Sequence, residues 1–599
     1  MNRGKGVWQR PGYQLLIGWA TAMLILLLTA RTPQGLGFDP SVQVLAVEQY
    51  LQKSVPTPNH YREADQDDLS RDTVKWIKNW PPGMQLLFLP LKMMGLDSGL
   101  ALRVLTALCF LVGSAGWSLW FGQFKIAGIM GLLLLMYVPT LRFVNNHLFT
   151  YSTEIIVYAI SPWLLWGGWR LACSGTSIQK KVTGSAVLGF CCGLLYMAKY
   201  SGAFIIAGVL GFLWMNLVIP WLLNHARFRK FFENWIKSQQ IGNGLTSNEA
   251  GIVAGGLSGH FKVAVVASGV FLIFFSIWGG VNVYHSGYVS QFDVMHQYGG
   301  HSVWAALFHV LTYPAQVVGD SEALWSYLLY HPVHGFFRGG FEHDRFDALI
   351  NNLIGLPGGV LLAFLVSRPA AWRGPGQLGL WAMLAGMMGM VVVWTFAQVG
   401  FQGAYLQITC LAALPAIVQE ALRIGSLPKT RKWLRFTLTI AGIFYLLIPA
   451  CYGVVALIGK VERVPTGYQT GISGLYNPFF SSSTRFPADV AAELVQNFDP
   501  RTDVWYTPNV NMKLDLPGRA LMTSDWWPLE VWQTFQFRTS RPVRLLALIP
   551  KVDETNGKAR AIREAFVGAE SWQHVPLSRV DFDLWISWIR PAGADRHRE

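Results

Sequence analysis

The sequence predicts a mainly α, polytopic membrane protein of about eleven transmembrane helices, followed by a soluble C-terminal α/β domain. Three observations carry this. Apolar runs of roughly 20 residues, the length that crosses a bilayer, recur through residues 1–459. Only 14% of the 599 residues are charged and 52% are hydrophobic, whereas about a quarter of a soluble globular chain is charged. From 460 to 599 the pattern changes to alternating helix-like and strand-like stretches.

Arg3, Lys5 and Arg10 precede the first apolar run, Tyr13 to Ala30. A charged start before an apolar run also describes a secretory signal. However, Leu28-Thr29-Ala30-Arg31 is a poor small-residue cleavage site and the run is long enough to span, so it reads as a retained helix. Further spans are expected near 98–121, 124–142, 153–172, 183–199, 202–222, 262–283, 348–367, 377–397, 404–422 and 435–458. The stretch 81–95 is short, opens with Pro81-Pro82-Gly83 and contains Pro90, which predicts an interfacial or re-entrant helix.

Charge tests the tally. With the N-terminus in the cytoplasm, every short inner loop carries Lys or Arg, from Lys125 and Lys180 to Arg368, Arg423 and Arg431, as positive-inside bias requires. Counting 81–95 as a crossing would turn most of these clusters outward. Loops of about 31–97 and 284–347 and the domain 460–599 then lie outside. The expected location is a bacterial inner membrane, with the C-terminal domain periplasmic or extracellular.

The net charge of +14 is explained by this bias, and no basic arm or nucleic-acid motif accompanies it. Six cysteines, Cys109, Cys173, Cys191, Cys192, Cys410 and Cys451, all lie in or beside apolar runs and form neither a disulfide framework nor a zinc pattern. In the tail, 487–498 and 558–569 predict amphipathic helices, and 503–508, 544–550 and 583–589 predict strands.

Two acids stand out. Asp39 follows the first span in GFDPSVQVLAVEQYLQ, where Val42, Leu45, Ala46 and Tyr50 recur at helical spacing. Pro40 suits a first helical turn, which predicts Asp39 as the N-cap; capping alone would account for it. Glu154 stands at the mouth of the fourth span beside Asn145, Asn146, His147 and Tyr151. An acid at that depth is costly unless paired or solvated, although a helix-start acid capped by Ser152 or Thr153 is a simpler account. Both acids reach the same face.

The segment WPPGMQLLFLPLKMMGLDSGLALRVLTALCFLVG (80–113), after an outer-loop Asp on a surface helix, resembles the type C fold (GT-C) glycosyltransferases that use polyprenyl-phosphate sugars, relatives of the protein O-mannosyltransferases and aminoarabinose transferases. Pro81-Pro82-Gly83, Gly95 and Arg103 fill that family's motif positions, Glu154 matches its second outer acid, and GLLYMAKYSG (193–202) resembles a later segment. The resemblance covers about the first 220 residues. Pro40 stands where many relatives carry a second acid. SDWWPLE (524–530) has Pro528 where the oligosaccharyltransferase signature has Asp, so its aromatics read as core.

The resemblance implies an inverting transfer of a sugar from a polyprenyl-phosphate donor to an acceptor hydroxyl on a glycan, lipid or protein. Asp39 would be the base and Glu154 would orient the acceptor or share that role. Arg142 and Lys199, with Arg71 and Lys75, are the candidates for binding the donor phosphate, and snorkelling to headgroups is the structural alternative. Glu342, His343 and Asp344, just before a span, form a possible acceptor or divalent-metal loop, with a solvated loop as the alternative. Two other classes fit a polytopic chain: a polysaccharide ligase or polymerase, and a transporter or flippase. Ligases commonly work with late-loop Arg and His, so the early Asp39 tells against the first. The absence of visible repeats tells against the second.

Overall fold

The computed structural model of the chain describes residues 10–30, 32, 35–36, 38–78, 80–173, 177–223, 257–289, 302–319, 343–396, 404–427, 431–463, 494–496, 498–508, 510–514, 516–523, 529–555, 557–577, 580 and 582–591. Helix α1 (Pro11–Thr29) has Pro11 in its first turn, where no amide donor is needed. It leads through β1 (Gly35–Leu36) to α2 (Phe38–Leu51), a hairpin of β2 (His60–Ala64) and β3 (Asp72–Trp76), and the short α3 (Gly83–Met93). Then follow α4 (Ser98–Gly122), α5 (Gly128–Thr140), the single turn α6 (Arg142–Asn145), β4 (Thr150–Tyr151), α7 (Glu154–Cys173), α8 (Ile178–Ala198), α9 (Gly202–Leu223) and α10 (Leu257–Ser286). The module closes with α11 (Val303–Gly319), α12 (His343–Val366), α13 (Gly376–Phe396), α14 (Ala404–Ser426), α15 (Lys432–Gly442) and α16 (Ile448–Arg463). A π-helical stretch, Ile443–Leu447, joins the last two. Pro449 has no N–H to give the preceding turn, and the loosened ladder widens there.

Each of the eleven predicted intervals holds helix. Among the described residues, however, eight helices have the length and apolar composition of a crossing. Within α9, α11 and α12, the stretches Gly202–Val218, Val303–Thr312 and Gly355–Val366 are also apolar. The predicted outer loop 284–347 also contains α11, which packs against α12, α13 and α14. At 17 residues, α11 falls below the ruler used to find spans.

Helix α3 is the short helix expected at 81–95. Its 11 residues rise only about 16 Å, half of a bilayer core. Met84, Gln85 and Phe88 are buried while Leu86, Leu87, Met93 and Met94 are exposed. The helix stops at Gly95, whose φ of +84° is the left-handed conformation that ends helices and favours glycine.

The C-terminal sheet runs in the order β6 (Arg519–Met522), β5 (Asp503–Thr507), β7 (Val543–Pro550), β9 (Phe582–Ile589), β8 (Gln573–Val575). β6, β5 and β7 are parallel, and β9 is antiparallel to both of its neighbours. Side chains alternate between the two faces as strand geometry requires. Val504, Tyr506, Leu545 and Ala547 pack with Ala559 and Ile562 of the helix Lys558–Glu564. Trp505, Leu546 and Leu548 pack on the other face with Val42, Leu45 and Ala46 of α2 and with Ile77. The first loop of the membrane module therefore supplies one of the sheet's covering layers.

Candidate active site

Two helix starts are brought together by a very small sheet. Gly35 and Leu36 pair in parallel with Thr150 and Tyr151, and the Gly35 N–H donates to the Phe149 carbonyl at 2.6 Å. Adjacent strands lie about 4.8 Å apart. Asp39 is three residues beyond Leu36 and Glu154 is three beyond Tyr151, so each acid stands in the first turn of its helix at the same step from the bridge. Helix starts favour negative charge. Helix α2 begins at Phe38, which corrects the N-cap expectation: Asp39 lies inside the first turn. Pro40 is tolerated in that turn because its amide would have no helical partner. The Asp39 side chain lies outside the described residues.

Glu154 is the first residue of α7, and its carboxylate pairs with the Lys199 ammonium. The Ser152 hydroxyl also hydrogen-bonds Glu154 and meets His147 Nδ1 at 3.1 Å. Lys199 occupies the break between α8 and α9, with an extended backbone at φ −163° and ψ 141°. The Lys199 and Glu154 side chains are 12% and 21% exposed, so solvent screens their attraction little.

Helix α3 begins against this break. A Cβ on Gly83 would lie 2.7 Å from Ala198 Cα, so α3 can begin against the end of α8 only with glycine there. A line of buried amides joins α3 to the helix that carries Asp39. Gln43 Nε2 donates to Pro81 O at 3.3 Å and to Gln85 Oε1 at 3.0 Å. Gln85 Nε2 donates to Asn59 Oδ1 at 3.0 Å, and Asn59 Nδ2 to Ile77 O at 3.2 Å. Arg103 donates to the Ala30 and Thr32 carbonyls at 3.1 and 2.7 Å, fixing the chain that leads into β1.

The hairpin docks on α10 through aromatic rings. Trp76 Nε1 donates to Asn282 Oδ1 at 2.8 Å, and the indole stacks on His285 with centroids 4.2 Å apart. Trp278 Nε1 donates to the Tyr200 hydroxyl at 3.1 Å, next to Lys199. His60 lies at the edge of the cluster, its pKa pushed down by burial and by His285.

The other candidate cations have contacts of their own. Arg71 pairs with Asp68 at 3.1 Å, and Lys75 pairs with Glu63, all on the hairpin or its turn. Burial pushes the Glu63 carboxyl up while Lys75 opposes the shift. Arg142 opens α6 with its guanidinium 5.6 Å from the ring centre of Tyr452. Glu342 lies outside the described residues. His343 and Asp344 open α12, and their side chains are outside the described set. Among the described residues there is no group of three or more His, Cys, Asp or Glu that could hold a metal. The β1–β4 bridge is absent from the sequence reading, because two-residue strands leave no periodicity to detect.

No family model matches the sequence, and no curated protein matches it. Solved structures do. ArnT from Cupriavidus metallidurans bound to undecaprenyl phosphate is similar with a TM-score of 0.48 and 10% identity, over 96% of this chain and 98% of that one. Its apo state gives 0.47 and 11% identity, over 96% and 97%. The archaeal oligosaccharyltransferase AglB from Archaeoglobus fulgidus, in complex with an inhibitory peptide and a dolichol-phosphate, gives 0.43 and 9% identity, over 97% of this chain and 74% of that one.

Proposed function

We propose that the chain is a membrane glycosyltransferase that moves a sugar from a polyprenyl-phosphate donor to an acceptor hydroxyl, with inversion, on the face that carries the C-terminal domain. The observation that carries this reading is the parallel bridge, which starts the Asp39 and Glu154 helices side by side, with Lys199 paired to Glu154. Two carboxylates and a cation at the edge of apolar helices suit a substrate that cannot leave the bilayer.

In this reading the acceptor oxygen attacks the anomeric carbon as the bond to phosphate breaks. Asp39 takes the acceptor's proton, and Glu154 orients the acceptor. The departing polyprenyl phosphate gains negative charge, which Lys199 stabilises. Arg142 is the next candidate for the phosphate, whereas Arg71 and Lys75 would first have to leave Asp68 and Glu63. Attack from the side opposite the leaving group in a single step inverts the anomeric centre. The positive charge of the loops read as inner supports a periplasmic or extracellular position for this face.

The test is release of free lipid phosphate in liposomes from a panel of undecaprenyl- and dolichol-phosphate sugars with a crude acceptor extract. Asp39→Asn is expected to lower release about 100-fold or more with the fold intact. Equal release from mutant and wild type would remove Asp39 from the chemistry, and no release from either across the panel would overturn the reading.

A further inference from the structure

One side chain at the bridge has no role in that scheme. Tyr151, paired in register with Leu36, is 0% exposed, and its hydroxyl has no hydrogen-bond partner among the described residues. Its electrostatic neighbours are Glu154 and Cys109. A buried hydroxyl without a partner is destabilising, and an orphan of this kind calls for a functional or solvent account. Phenylalanine would fill the same space without that cost.

We propose that the Tyr151 phenol is the alternate partner of Glu154, donating its hydrogen bond to the carboxylate when Lys199 turns from it to an anionic phosphate. The inference rests on the glycosyltransferase reading and adds a positioning residue to it. Glu154 is fixed at the first residue of α7, while Lys199 reaches it on a flexible four-carbon stem from an interhelical break. When a phosphate competes for that ammonium, the lysine can turn but the carboxylate cannot follow. A buried carboxylate deprived of its cation is strongly destabilised. Ser152 and His147 already act on Glu154 in the resting arrangement, so neither offers new compensation. Tyr151 has a free donor three residues away. Its hydrogen bond therefore forms in the phosphate-bound state and strengthens binding of that state.

Equilibrium binding of a short-chain polyprenyl phosphate in detergent tests this without any turnover. Tyr151→Phe is expected to weaken binding about tenfold while its melting temperature stays equal to or above that of wild type. In a Glu154→Gln background, where no buried charge needs a partner, the same substitution is expected to change binding less than twofold. Wild-type affinity in Tyr151→Phe, or an undiminished tenfold loss in the Glu154→Gln background, overturns the partner exchange and leaves the glycosyltransferase reading standing. If wild type itself does not bind the lipid phosphate, both fall.

Discussion

Glu154 and Lys199 were visible in the sequence because charges beside apolar runs are expensive and must find company. Which company they keep was not visible, since Lys199 follows Glu154 by 45 positions and no local pattern links them. The pairing has a measurable cost. Lys199→Met leaves the Glu154 carboxylate without its cation, and thermal unfolding in detergent should show a loss of about 3 kcal/mol. Adding Glu154→Gln removes the stranded charge and should recover most of it. Asp39 shows the opposite limit: its helical setting was legible from Val42, Leu45 and Ala46, but the start of the helix fell at Phe38, earlier than Pro40 implied. One of the chain's left-handed glycines was also marked in the sequence. Gly95 appeared as a motif position, and its physical content is a helix stop with φ +84° and open space around it.

At the scale of elements, long apolar helices were legible because a bilayer enforces their length. Irregular outer elements were not. The hairpin of β2 and β3 was read as polar loop, since the seven-residue turn from Asp65 to Arg71 lacks the two-residue signature of a tight hairpin. Helix α11 was hidden by its shortness among histidines and aromatics. The short α3 was legible from its prolines, yet its importance comes from contact: it starts against the residues that lead into Lys199. Gly83→Val would push backbone against backbone there, and we expect lipid-phosphate release to fall at least tenfold (~1.4 kcal/mol) with a lower melting temperature. Gly95→Asn at the other end, where no atom crowds the site and asparagine tolerates the left-handed conformation, should keep most of the activity. Similar losses at both positions would show that α3 matters only as a helix.

The whole molecule is held together where the sheet domain meets the first loop. Asp68 accepts from the Ser540 backbone N–H at 2.8 Å and from its hydroxyl at 2.6 Å, and Leu69 N–H donates to Arg538 O at 2.8 Å. Burial pushes the Asp68 carboxyl up, but the hydrogen bonds from Ser540 and Ser70 outweigh it and hold the group well below the usual carboxylate range. A carboxyl with a depressed folded pKa stabilises the folded state fully above its unfolded value of about 3.9. That contribution is lost as pH falls from there through the folded value. Protection of the Ser540 amide, its exchange measured against the intrinsic rate at each pH, should therefore be high at pH 7 and fall below about pH 4. Asp68→Asn should show faster exchange already at pH 7, and unchanged exchange in that variant would mean the contact does not clamp the domain. Lys513 lies at the same junction, 8% exposed. Burial lowers its pKa to about 8, against the pull of Glu48 and Asp72.

The covering layer that α2 lends to the sheet also orders the life of the chain. Val42, Leu45, Ala46 and Ile77 are translated hundreds of residues before Trp505, Leu546 and Leu548, their partners in the finished core. During synthesis that apolar face waits without its lid, and whatever shields nascent membrane proteins must shield it. Helix α2, which carries Asp39, gains its cover only when the sheet arrives, so the two ends of the chain must meet before this helix is packed on both sides.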